Sequence, residues 1–160
     1  MNCTLVVPER GCFQSQTKRV RAMSTRTILI IEDSVSAVAG YMQVIETLNL
    51  DVIPLVAPTY EKAKVFLDAE PVDLVILDLM LPDALGTDVL EALRRRSPEV
   101  PILLVTGHPE ELEWTKVKRF RLAGFFIKPF HAESFGEAVD SSLQRPDDRG
   151  RRSWAGGPLQ

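Results

Sequence analysis

Thr-Ile-Leu-Ile-Ile-Glu-Asp, residues 27–33, is the stretch that decides the fold. Its first five residues are apolar or β-branched with no polar alternation. That pattern fits a parallel strand whose two faces are both covered by helices. The run then stops abruptly on two acids. Three later runs repeat the design: Leu74–Leu77 ends at Asp78, Ile102–Val105 at Thr106, and Phe125–Ile127 at Lys128, which Pro129 follows. If the runs are parallel strands, one edge of one sheet gathers three carboxylates, a hydroxyl and an ammonium.

Spacing agrees with that arrangement. Asp33 and Asp78 lie 45 positions apart, room for two strand–helix steps, whereas Asp78 to Thr106 is 28 and Thr106 to Lys128 is 22, one step each. A βαβ unit takes on the order of 30 residues, counting its strands. Open α/β sheets bind ligands beyond the carboxyl ends of their strands, where the strand order reverses. Between the runs, helices are expected over about Ser34–Leu48 (Val38, Met42, Ile45 and Leu48 on one face), Tyr60–Glu70 (Ala63, Phe66 and Leu67 inward), from the Pro82/Gly86 loop to Arg96, over Glu110–Leu122, and over Ala132–Gln144. Strands are expected at Thr27–Ile31, Asp51–Val56, Asp73–Leu77, Pro101–Val105 and Phe125–Ile127. Right-handed crossovers limit such a chain to a few doubly wound folds. The fourth helix is the least regular: Leu112, Val117 and Phe120 suit the inside, and Lys116, Lys118, Arg119 and Arg121 the outside. Arg94–Arg96 read as a solvated helix end, where cations complement the dipole.

The 160 residues suit one domain with a single core. A composition of 45% hydrophobic and 26% charged residues is that of an ordinary globular chain. No apolar stretch approaches the roughly 20 residues that span a bilayer, and Pro8 cuts short the apolar start Leu5–Val7, so no signal peptide is read and a cytoplasmic location with no membrane contact is expected. Residues 26–145 hold 12 Lys/Arg against 19 Asp/Glu, an acidic body that argues against direct nucleic-acid binding. Residues 1–25 are expected to be a disordered extension, with Met23 an alternative start, and 146–160 a flexible tail. Cys3 and Cys12 make neither a disulfide framework nor a four-ligand zinc site.

Mg²⁺ takes hard oxygen ligands and keeps several waters, so one or two carboxylates suffice. Asp33 is the expected direct ligand, with Glu32 acting directly or through water; alone, the pair also suits a helix N-terminus. Asp78 is the candidate nucleophile, since a carboxylate can attack an activated phosphoryl group to give an aspartyl-phosphate. Asp73 and Asp83 better fit capping and turn roles. Thr106 offers a hydroxyl to a phosphoryl oxygen, and Lys128 a compact positive charge.

This set resembles the receiver domain of two-component response regulators. The matching pieces are Ile-Leu-Ile-Ile-Glu-Asp at 28–33, Asp-Leu-Met-Leu-Pro-Asp-Ala-Leu-Gly at 78–86, Leu-Leu-Val-Thr-Gly at 103–107 and Phe-Phe-Ile-Lys-Pro-Phe at 125–130. The likeness covers about residues 26–145 and is closest to stand-alone, chemotaxis-regulator-like receivers. It implies a flavodoxin-like α/β fold, a five-stranded parallel sheet in the order 2-1-3-4-5 with helices on both faces. It implies that Asp78 is the phosphoacceptor, charged by a sensor histidine kinase or a histidine phosphotransfer protein. Mg²⁺ would be held by Asp33, Asp78 and the main-chain carbonyl of Met80, with Glu32 acting through water. Lys128 would pair with the phosphate across a bond to Pro129 that is often cis. Thr106 and Phe125 would be the switch pair, altering the face of helix four, strand five and helix five toward an unidentified protein target. The module would promote only its own phosphorylation and dephosphorylation rather than act as an enzyme. Phe125 replaces a frequent tyrosine, Glu32 a common aspartate, and His131 a frequent capping aspartate. His108 occupies a position able to tune phosphate lifetime, and Trp114 is either an exposed anchor or a packing residue.

Three other readings stay open from sequence. The chain is a receiver cut from a longer transcription regulator, or a receiver-shaped scaffold that is not phosphorylated, or a small α/β phosphatase. The last wants a second acid two residues after the nucleophile, where Met80 stands. A flavin site would want a phosphate-cradling loop where Glu32 and Asp33 repel phosphate.

Overall fold

A computed structural model describes residues 25–144 except Glu113, and the side chain of Glu111 is also outside the description. The expected N-terminal extension with Cys3, Cys12 and Met23, and the expected C-terminal tail, lie outside the described residues. The strands are β1 (Arg26–Ile31), β2 (Val52–Ala57), β3 (Leu74–Asp78), β4 (Ile102–Thr106) and β5 (Gly124–Ile127). They form one parallel sheet in the order β2-β1-β3-β4-β5. The helices are α1 (Val35–Thr47), α2 (Tyr60–Ala69), α3 (Gly86–Arg96), α4 (Trp114–Val117) and α5 (Ala132–Leu143).

Side chains alternate across a strand, so each strand feeds two cores. Leu29, Ile31, Val75, Leu77, Ile102 and Leu104 face α2, α3 and the α4 region, against Ala63, Leu67, Val89, Leu90, Leu93, Leu112, Val117 and Phe120. Ile28, Ile30, Leu74, Ile76, Leu103 and Val105 face α1 and α5, against Tyr41, Ile45, Phe135, Val139 and Leu143. β3 and β4 are buried along their whole length. Each such apolar side chain is worth roughly 1.5–3 kcal/mol over its exposed state. A polar group in mid-strand would forfeit that and add its own desolvation cost. Polar residues enter these central strands only at their carboxyl ends. β2 is an edge strand, which accommodates Pro54 because its missing N–H need not serve a second neighbour.

Several expectations shift. Asp78 and Thr106 are the last residues of their strands, one further than expected, because Asp78 pairs with Val105 and Thr106 with Ile127. On α1, Ile45 is buried, while Val38, Met42 and Leu48 are only partly so; the other fully buried residue is Tyr41, one turn before Ile45. The fourth helix is a correction. In place of one helix over 110–122 the chain makes a 3₁₀ turn at Pro109–Glu111, the short α4, and a second 3₁₀ turn at Lys118–Phe120. Leu112, Val117 and Phe120 do face inward, but their five- and three-residue spacing does not sustain a helical stripe. Arg121 then turns left-handed, with φ of 49°, and ends the segment.

Arg94 and Arg96 are not a solvated helix end. Arg94 donates to the carbonyls of Val100 and Phe120 at 2.6 Å each and of Arg121 at 3.1 Å. Arg96 donates to Leu67 O at 3.1 Å and pairs with Asp68. The two guanidinium groups therefore bind α3 to its neighbours on either side.

Candidate functional site

Strand alternation, carried one residue past the strand ends, sorts the candidate residues onto two faces. Glu32 follows Ile30, Asp78 follows Ile76 and Lys128 follows Phe126, all on the α1/α5 side. Thr106 follows Leu104, and Phe125 is the register partner of Leu104, on the α3/α4 side. Main-chain bonds keep the pattern beyond the strands: Glu32 N–H donates to Ala57 O at 3.0 Å and Lys128 N–H to Thr106 O at 2.8 Å.

On the first face the charged groups meet. The Lys128 ammonium donates to Asp78 Oδ2 at 2.5 Å and to Glu32 Oε2 at 2.6 Å. Glu32 is 1% exposed and Asp78 6% exposed, so neither carboxylate could be left unpaired at small cost. Glu32 is fully engaged: its Oε1 accepts from Ser34 N–H at 3.1 Å, and Oε2 also accepts from the Tyr41 hydroxyl at 2.8 Å. Burial pushes the Glu32 carboxyl above its usual range, against the lowering effect of Lys128 and Tyr41. Burial works against the charged form of Lys128, but the bonds to Asp78 and Glu32 prevail and hold its pKa above the ordinary lysine value. Burial, then the negative charge of Glu32, push the Tyr41 hydroxyl far up, so it remains a donor. The Lys128–Pro129 peptide bond is cis.

The loop after Asp78 is fixed at several points. Asp78 Oδ1 accepts from Met80 N–H at 2.9 Å, Leu79 N–H reaches Val105 O at 3.1 Å, and Met80 bridges Leu85. Gly86 N–H returns to Leu79 O at 3.0 Å, and a Cβ on Gly86 would lie 2.6 Å from both the Leu79 Cα and its carbonyl oxygen. Only glycine permits that closure. Asp83 accepts from Tyr60 N–H at 2.9 Å and Glu61 N–H at 3.0 Å, capping α2. Asp73 accepts from the Arg26 side chain at 2.9 Å and Thr27 N–H at 2.8 Å, at the far end of the sheet.

Asp33 stands exposed beside the buried pair. Among the described residues no three histidine, cysteine, aspartate or glutamate side chains gather closely enough to cage a metal. The oxygen set nevertheless suits Mg²⁺, which needs only one or two carboxylates and retains water. Softer metals such as Zn²⁺ or Cu²⁺ would favour nitrogen or sulfur donors over this carboxylate and carbonyl set.

On the second face, Thr106 is buried and its Oγ1 accepts from His108 N–H at 3.0 Å. The exposed His108 ring lies 3.2 Å from Glu110. Phe125 is half-buried, with the Trp114 ring edge-on at 4.6 Å. Trp114 is still 43% exposed, so it both packs and remains accessible. His131 precedes α5 without a side-chain capping bond. Sequence reasoning gave Asp83 a capping or turn role but missed Tyr41 and Gly86 as a wedge. A tyrosine one helical turn before the inward Ile45 was the available signal for the first.

A doubly wound parallel sheet with a lysine bridging two buried acids at the ends of β1 and β3 defines a class of α/β domain with its charged groups at the carboxyl edge of the strands. Residues 28–140 match the response regulator receiver domain, and the chain belongs to that family. It is 33% identical over 116 residues to the regulatory protein LuxO of Vibrio cholerae, covering 72% of this chain and 25% of LuxO. It is 30% identical over 112 residues to the transcriptional regulatory protein CitT of Bacillus subtilis, covering 70% of this chain and 50% of CitT. The chain thus spans a quarter to a half of the length of these relatives. The non-phosphorylated HemR receiver domain of Leptospira biflexa superposes with a TM-score of 0.66 at 26% identity, covering 75% of this chain and 95% of that one. A CheY-like receiver domain protein of Methanospirillum hungatei gives 0.67 at 22% identity, over 79% and 100% of the two chains, a likeness of fold alone. Receiver domains are signalling phosphoacceptors of two-component systems; they take phosphoryl groups from histidine kinases and generally use Mg²⁺ at that site. No helix among the described residues is long and apolar enough to cross a membrane.

Proposed function

We propose that Asp78 is the phosphoacceptor of this receiver, charged by a phosphohistidine on a sensor histidine kinase or a histidine phosphotransfer protein. The observation that carries the reading is the Lys128 ammonium, held within 2.6 Å of both Asp78 and Glu32. A carboxylate oxygen of Asp78 forms a bond to phosphorus as the phosphorus–nitrogen bond of the donor breaks. The imidazole leaves with the electron pair and takes a proton from water. Lys128 moves from the carboxylates onto the phosphoryl oxygens, and Thr106 donates its hydroxyl to one of them. Asp33, Asp78 and the Met80 carbonyl hold Mg²⁺, with Glu32 supporting through water. When bound, the ion neutralises charge on the transferring oxygens.

Phosphorylation biases a two-state equilibrium rather than building a new fold. Thr106 and Phe125 carry it to the face of α4, β5 and α5, which contacts a protein target. The receiver body spans residues 26–145 and works in the cytoplasm. It promotes only its own phosphorylation and dephosphorylation, and its acidic body does not bind nucleic acid directly.

Intact-mass spectrometry after incubation with a small acyl-phosphate donor tests this. A gain of one phosphoryl group is expected in wild type with Mg²⁺, and none in Asp78→Asn or without the ion. Equal gain in Asp78→Asn would move the acceptor elsewhere. No gain in wild type, together with no Mg²⁺ binding, would leave a receiver-shaped scaffold.

A further inference from the structure

The hydroxyl of Tyr41 donates at 2.8 Å to Glu32 Oε2, the same oxygen that accepts from Lys128 at 2.6 Å. Tyr41 is 3% exposed and Glu32 1% exposed, so bulk water does not compete for the bond between them. The Tyr41 ring is stacked on Phe135, with centroids 5.4 Å apart, and on Phe130, at 6.1 Å. The Lys128 ammonium lies 5.9 Å above the same ring. The tyrosine is thus fixed by its aromatic neighbours and aimed at the carboxylate that Lys128 shares.

We propose that Tyr41 is a positioning residue for Lys128: its hydroxyl keeps the buried Glu32 carboxylate satisfied, so that the lysine can leave it for a phosphoryl group on Asp78. The inference rests on Asp78 being the phosphoacceptor. In the resting arrangement Glu32 has three donors: Ser34 N–H, Tyr41 and Lys128. When Lys128 moves to the phosphate, Ser34 and Tyr41 remain. Without the hydroxyl, Ser34 N–H would be the one protein donor left on a buried anion, beside the magnesium-bound water. The penalty for an unsatisfied buried group rises steeply as its last partners are removed. Removing the hydroxyl therefore disfavours the phosphorylated arrangement more than the resting one.

Tyr41→Phe keeps the ring and deletes the bond; Tyr41→Leu deletes both. The measurement is the steady-state ratio of phosphorylated to unphosphorylated protein, by intact mass, under a fixed acyl-phosphate and Mg²⁺ concentration. Thermal midpoints of the unphosphorylated proteins are taken without Mg²⁺. Tyr41→Phe is expected to lower the ratio roughly three- to tenfold, with its resting midpoint dropping less than that of Tyr41→Leu. An unchanged ratio in Tyr41→Phe overturns the proposal, and a fall confined to Tyr41→Leu would assign Tyr41 a packing role only. If wild type itself takes up no phosphoryl group, the phosphoacceptor reading fails first and this inference with it.

Discussion

At the β4–β5 end of the sheet, the two faces are built to different standards. On the α1/α5 face, Tyr41, Phe126, Phe130 and Phe135 form one aromatic block, with neighbouring ring centroids 4.9–6.1 Å apart. Two long helices cover it, and the Glu32–Lys128–Asp78 bridge closes its upper edge. On the opposite face, β4 and β5 are covered by a four-residue helix between two 3₁₀ turns. There three inward side chains and the Arg94 guanidinium hold the segment. Asp78 thus sits beside the aromatic block, and Thr106 and Phe125 lie on the side covered by the α4 region. Regions that move are drawn from the weakly stabilised end of a structure. Under the proposed function, the division would let the chemistry keep a fixed geometry while its readout shifts.

The comparison can be broken most forcefully at Phe135, which is fully buried at the centre of the aromatic block. Phe135→Ala is expected to cost about 3–5 kcal/mol in chemical denaturation. A loss near 1 kcal/mol would mean that the block is not the stronger core. Arg94→Ala should cost less, about 2–3 kcal/mol, since charged donors leave carbonyls unsatisfied. Its signature is local: amide exchange should quicken over 114–123 and hardly change in α1 and α5. Uniform quickening would deny the two-region picture. Trp114→Ala, trimming a side chain that is already 43% exposed, is expected to cost about 1–2 kcal/mol, mainly from its contact with Phe125. A cost matching Phe135→Ala would make the α4 side a second rigid core.

The smallest effect is a slope. The raised native pKa of Glu32 means that the folded state binds its proton more readily than the unfolded chain does. Its favourable contribution is complete below the ordinary value of 4.5 and fades as pH rises through the native value. Denaturation midpoints followed from pH 4 to 7 should fall in wild type relative to Glu32→Gln. A flat difference between the two would remove burial as the dominant influence on that carboxyl. Lys128 has the same sign at the alkaline end: its contribution is whole below 10.5 and lost as pH climbs through its higher native value.

The parallel sheet was legible because four uninterrupted apolar runs have one physical explanation, burial on both faces. The gathering of Glu32, Asp78 and Lys128 was legible for the same reason: each follows such a run. The geometry between them was not. Tyr41 was overlooked because an amphipathic ring on a helix counts weakly beside Val38 and Met42 in a hydrophobic pattern. The α4 region was misread as one helix, since its charged residues resemble a solvated helical face. Only the uneven spacing of Leu112, Val117 and Phe120 hinted otherwise. Gly86 acts through a main-chain closure that no local pattern announces.

Arg94 has a consequence for how such a molecule can diversify. The oxygens it grips at Val100, Phe120 and Arg121 belong to the main chain, and a carbonyl is the same whatever side chain it accompanies. Anchorage of the α4 surface is thereby separated from the lettering of that surface. A lineage can rewrite the exposed residues around Trp114 while the segment stays fastened at the same place.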